Sequence, residues 1–147
     1  MLSENSPVPD AVARWPIFVA ALWWGSLGTI GFLVVPLLFV HLPSPSMAGG
    51  MAATLFTAQT WLSLACGVSL LLASRPKQDQ VPAEWARPAM VFIVLGLLLA
   101  LLGEFAVAPR IVARDNLRLW HGVGSALYLL QWLSAGAVLW LLLRRRD

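Results

Sequence analysis

The chain has 147 residues, 59% of them hydrophobic and only 12% charged, against a charged share of about 25% in soluble domains. That composition excludes an ordinary soluble domain. The formal charge of +3 and pI near 10 do not indicate a nucleic-acid binder either, because the basic residues punctuate the gaps between apolar segments instead of forming a face.

In chain order, residues 1–14 read as a short polar cytoplasmic tail with Pro7, Pro9 and Asp10. Residues 15–40 form the first apolar segment, too long for a signal-peptide core of about 7–15 residues. It reads as a retained transmembrane helix. Gly25, Gly28 and Gly31 recur every third residue and predict a strip for close helix packing. Pro36 removes one backbone hydrogen bond and predicts a kink.

His41 to Ser46 is a tight connection in which Ser44 or Ser46 can cap the next helix. That helix covers 47–73 and opens with small residues, Gly49 and Gly50 among them, again suited to packing. Gln59 is expected to face protein, since an unpaired amide in hydrocarbon costs several kcal/mol, ~4–8 on transfer to cyclohexane. Residues 74–88 are hydrophilic. A third helix is expected over 89–108 and a fourth over 119–143, followed by the basic end 144–147. The fold class is an all-α membrane protein: a four-helix transmembrane bundle of two helical hairpins.

Orientation follows from the positive charges. Seven (Arg14, Arg75, Lys77, Arg87, Arg144, Arg145, Arg146) fall on the side of the termini and the 74–88 loop, and three (Arg110, Arg114, Arg118) on the other. Both termini are therefore expected to be cytoplasmic.

The stretch 102–125 carries most of the chemistry. Glu104 is the only carboxylate inside an apolar run, and it sits five residues before Pro109, about 7 Å below the expected helix end. Ionisable groups at such depth mark a function or a buried partner. Glu104 either pairs with Arg110 or Arg114 to fix the hairpin or acts directly. The three arginines, four apart, share a face if the fourth helix extends upstream of Leu119; headgroup anchoring is their simplest role. The topology brings Glu104, Arg110, Arg114, Arg118, His121 and His41 to one end of the bundle as a candidate ligand or partner cluster.

No Gly-rich phosphate loop, CxxC, HExxH or GxSxG occurs. Ser125 lies one turn after His121, but no carboxylate orients that histidine, so no catalytic residues are assigned. The leading expectation is a small non-enzymatic membrane protein that acts as an accessory or assembly partner or binds an anionic or lipid ligand. No cofactor is required. An alternative class is a redox protein holding haem b or a transition metal through His41 and His121, and a third is a small transporter subunit using Glu104 as a proton or cation site. The lone Cys66 rules out an intramolecular disulfide.

Several residues together resemble a known family. Trp24-Gly25-Ser26, the run Phe32 to Phe39 with Pro36, and Ala48-Gly49-Gly50 with Leu55-Phe56 are similar to the first hairpin of the bacterial family catalogued as domain of unknown function 4149. Pro109-Arg110, Arg114 and Trp120-His121-Gly122 with Ser125 resemble its second hairpin. That family shares its membrane domain with eukaryotic transmembrane protein 205. Its Phe-x-x-Leu-His-Gly-x-Ser pattern is altered here: Trp120 separates Leu119 from His121, and Gly124 stands in the serine's place. The resemblance implies a four-helix membrane protein with no settled activity and favours the bacterial inner membrane. The expected partners are the lipid bilayer and a membrane protein or a second copy of the chain.

Overall fold

The structure, a computed structural model, describes residues 14–75 and 86–144. Most of the 1–14 tail, the centre of the 74–88 loop and nearly all of the basic end lie outside the described residues. Within them the chain is helical: α1 Trp15–His41, α2 Pro45–Ala73, α3 Arg87–Val112 and α4 Leu117–Leu143. At 26–29 residues each they are about 40 Å long, enough to cross a bilayer with some tilt. Their outward surfaces are apolar, as at Phe18, Val40, Trp61 and Phe105. The protein is a multi-pass integral membrane protein.

α1 packs on α2, α2 on α3, α3 on α4, and α4 returns to α1, which closes a four-helix bundle. Ser44 caps α2 by accepting from the Met47 N–H at 3.2 Å, one of the two caps expected from the sequence. Asn116, in the left-handed region at φ 37°, starts α4 and accepts from the Leu119 N–H. The helix ends differ from those expected in one important respect. Pro109 does not end α3; the helix runs on to Val112, and the connection shrinks to residues 113–116.

The reason lies just upstream of each proline. Ile30–Val34 in α1 and Gly103–Val107 in α3 are single π-helical turns, each ending two residues before Pro36 or Pro109. The wider turn accommodates a proline ring that would otherwise strike the carbonyl four residues back. The helix is deflected and continues. The two turns share the pattern Phe-x-Val-x-Pro, at Phe32, Val34, Pro36 and at Phe105, Val107, Pro109. Trp-Leu-Ser likewise recurs in the return helices, at 61–63 and 132–134. The likeness of the two hairpins is confined to these short motifs and the π turns.

Packing is uneven along the bundle. The core consists of Ala20, Trp23, Leu27, Cys66, Leu70, Ala89, Ile93, Ala135, Val138 and Leu142, which come from the halves of the helices away from the two short connections. In the other half, neither the π turn of α1 nor Val35–His41 buries a residue, and the first buried residue of α4 is Gln131. That half is the more open on the α1 and α4 sides, while Ala48 and Ala52 of α2 and Val107 of α3 stay buried in it.

Glycines seat aromatic rings, but not all of those expected. A Cβ at Gly28 would lie 3.2 Å from the Trp132 ring, and one at Gly136 would lie 2.9 Å from Trp24; Gly31 likewise receives Tyr128. Trp24 and Trp132 stack with centroids 5.5 Å apart. Because Trp24 precedes Gly28 by four residues and Trp132 precedes Gly136 by four, each helix places its Trp over the other's Gly. This exchange closes the α1–α4 seam. Gly25, Gly49 and Gly50 have nothing within 4 Å of a Cβ position, so within the single bundle they seat no neighbouring side chain. Gly67 and Gly96 do so instead, under Leu97 and Trp23.

Gly136→Ala should therefore destabilise the bundle by about 1–3 kcal/mol through overpacking, whereas Gly25→Ala should be neutral or slightly stabilising. Thermal unfolding of the two variants in mild detergent separates them.

Candidate functional site

Two polar constellations lie within the membrane span. The first crosses the bundle centre. Gln59 of α2 is 2% exposed, as its expected inward setting requires. Its Nε2 donates to Ser26 Oγ of α1 at 3.0 Å and to Ser63 Oγ at 3.4 Å. Gln131 of α4 donates to the same Ser63 Oγ at 3.0 Å. One hydroxyl thus ties α2 to α4 across the bundle, and Gln59 ties both to α1. Gln59 Oε1 and Trp23 Nε1 are buried without a partner among the described residues.

The second constellation lies at the two π turns. Tyr128 of α4 donates to the Leu27 carbonyl at 2.9 Å, and its oxygen also meets the Gly31 backbone. A side chain set into the backbone ladder at the start of a π turn is a recognised cause of such a turn. At the equivalent turn of α3, Thr57 of α2 donates to Glu104 Oε1 at 2.8 Å. Phe56, next to Thr57, meets Tyr128 edge-on at 5.1 Å. Each hinge is thus held by a hydroxyl from the neighbouring helix, and the two hydroxyl-bearing residues are joined through Phe56.

The sequence-derived cluster is brought to one end but is not drawn together as a unit. Glu104 is half-buried and bonded to Thr57; the alternative pairing with Arg110 is replaced by that hydroxyl. Arg110 turns the other way. Its Nη1 donates to the Ala106 carbonyl and its guanidinium lies 4.5 Å from the centroid of the Trp120 ring, a cation–π contact. The arginines do not share one helical face. Arg110 belongs to α3, Arg114 to the connection at φ 57°, and Arg118 to the first turn of α4. The left-handed residues at 114 and 116 turn the chain too sharply for a continuous helix. All three arginines are exposed.

His41 and His121 are exposed as well. Each bonds its own helix through Nδ1, His41 to the Leu37 carbonyl at 3.0 Å and His121 to the Leu117 carbonyl at 2.8 Å. A carbonyl only accepts, so in each ring Nδ1 is the donor. Among the described residues no three His, Cys, Asp or Glu side chains converge as a metal-binding group. Sequence reasoning missed Thr57 and Tyr128 as partners of the hinges. Their signal was present as a hydroxyl on each return helix, but not the pairing across helices.

Ser63→Ala would leave the Gln59 and Gln131 amides without their shared acceptor. A loss of about 1–2 kcal/mol is expected, at the modest end for buried hydrogen bonds because unfolded chains in a membrane also find partners. Denaturant titration in mixed micelles should show it, and Gln131→Leu combined with Ser63→Ala should cost less than the sum of the single changes.

No curated protein and no solved structure matches the chain. One family does, over residues 18–119, well over half of the sequence. The match takes in α1, α2, α3 and the three arginines and stops at Leu119, before His121 and the body of α4. The protein belongs to the family described as a domain of unknown function, DUF4149.

Proposed function

We propose that the protein is a non-enzymatic, multi-pass component of the bacterial inner membrane, with both termini cytoplasmic, that binds anionic headgroups or an anionic partner at its external end. The observation that carries this is the Arg110 guanidinium laid over Trp120, with exposed Arg114 and Arg118 nearby in the chain. A Trp at a helix end is an interfacial anchor. A cation fixed against its ring keeps its charge at headgroup depth, with its remaining N–H groups available for phosphate oxygens. The role is that of an accessory or assembly protein whose partner is another membrane protein or a second copy of the chain.

The orientation rests on the seven-to-three distribution of positive charge. A C-terminal alkaline phosphatase fusion should be inactive and a C-terminal fluorescent fusion bright; the reverse pattern would place the arginines in the cytoplasm.

Headgroup binding is tested with Arg110→Ala, Arg114→Ala and Arg118→Ala combined. At about 1 kcal/mol per charge near a membrane surface, the triple variant should lose roughly two orders of magnitude in affinity for phosphatidylglycerol or cardiolipin by native mass spectrometry. Retention of phosphatidylethanolamine should be unchanged. Equal retention of anionic lipid by both forms would overturn the reading.

A second reading rests on His41 and His121, both exposed at the same end and each bonded to its own helix through Nδ1. Their other ring nitrogens would be the ligands for haem b or a transition metal. It predicts an absorbance band in the purified protein that His121→Ala removes.

A further inference from the structure

The π turns have a consequence for the backbone that proline makes permanent. In such a turn each N–H reaches the carbonyl five residues back: the Val35 N–H bonds the Ile30 carbonyl, and the Ala108 N–H bonds the Gly103 carbonyl. The next carbonyls in line are those of Gly31 and Glu104. Their donors would be the nitrogens of Pro36 and Pro109, which carry no hydrogen. Each hinge therefore has one carbonyl with no donor in its own helix, at a depth where lipid offers none.

The two hinges differ in what surrounds that carbonyl. In α1 the residue is glycine, and the Tyr128 phenol already occupies the turn. In α3 it is Glu104. Its Oε1 accepts from Thr57, its Oε2 has no hydrogen-bond partner among the described residues, and the Thr57 oxygen keeps its lone pairs. Arg110, the cation nearest in sequence, is committed to Ala106 and Trp120. Ionisable groups within a span pair with other groups or mark ion pathways, and among the described residues no cationic side chain is bonded to this one. Carboxylate, hydroxyl and freed carbonyl oxygens at a broken membrane helix form a donor set for a small hard cation, and a single carboxylate balances one charge, not two.

We propose that the α3 hinge is a sodium site, in which the Glu104 carboxylate, the Thr57 hydroxyl and the carbonyl freed by Pro109 hold one ion. The site is independent of the arginine face described above. The other ionisable groups on the helices around it are His41 of α1, Cys66 of α2, Arg87 and Arg110 of α3, and Arg118, His121 and Tyr128 of α4, with Arg144 just past its end. Among the described residues none of these is hydrogen-bonded to Glu104.

The test is thermal unfolding of the full chain in nanodiscs of neutral lipid, titrated with NaCl against choline chloride at fixed ionic strength between pH 5 and 8. The melting temperature should rise with NaCl and not with choline chloride. The half-maximal NaCl concentration reports the affinity of the site. Glu104→Gln, of the same shape, should abolish the response; Thr57→Val should raise the half-maximal concentration roughly three- to tenfold. The arginine triple variant should respond like the unmodified protein, which separates this site from headgroup binding. Identical melting in both salts at pH 8, or a sodium response that survives Glu104→Gln, would overturn the proposal. Should Glu104→Gln fail to fold, Thr57→Val alone decides: an unchanged half-maximal concentration would also overturn it.

Discussion

The bundle depends on one constraint: inside the bilayer a polar atom has only the protein to bond to, and Gln59 Oε1 and Trp23 Nε1 are the buried side-chain atoms among the described residues left without a partner. Four helices satisfy their own backbones, but side chains and broken turns do not satisfy themselves. Ser63 answers most of this need at the centre, since its oxygen receives amides from both Gln59 and Gln131. Those contacts fix the rotation of α2 and α4 about their axes. A helix turned by one residue would carry an amide into lipid, at a cost large compared with any gain in packing. The polar node thus selects the arrangement that the apolar residues then fill.

The apolar residues divide the molecule into two mechanical halves. Trp23 fills the centre over Gly96, and Leu27, Leu70, Ile93 and Val138 form the core with it. Toward the short connections fewer residues of α1 and α4 are buried, and at the π turns the Tyr128 and Thr57 hydroxyls add bonds between helices. Proteins tend to place their moving parts where local stability is low. Here that region coincides with the half containing Glu104, the arginines and both histidines.

Much of the architecture could be read from the chain because hydropathy and charge act locally. Four apolar runs, the Ser44 cap and the inward setting of Gln59 each follow from the residue and its near neighbours. The glycines show where that logic stops. Gly25, Gly28 and Gly31 look alike in the sequence, yet Gly28 and Gly31 take aromatic rings and Gly25 meets nothing. What a glycine accommodates depends on the helix opposite. Pro109 misled for a related reason, because a proline ends a helix only if the preceding turn cannot widen, and Gly103–Val107 widens. The Phe-x-Val-x-Pro repeat was visible in the letters, but only the shared π turns reveal why it recurs. The partners of Glu104 and Arg110 were beyond local reasoning, since Thr57 and Trp120 lie on other helices.

The reciprocal seating of Trp24 and Trp132 over Gly136 and Gly28 joins the first helix to the last. That seam does not need a peptide linkage between the hairpins. A polypeptide divided in the hydrophilic stretch between α2 and α3 would still carry complementary surfaces on its two pieces. The covalent connection then serves mainly to keep the hairpins at high effective concentration. By the same token, either hairpin presents a ready-made docking edge to the other half of a second molecule, so exchange of hairpins between chains is the form of oligomer that this architecture most readily permits.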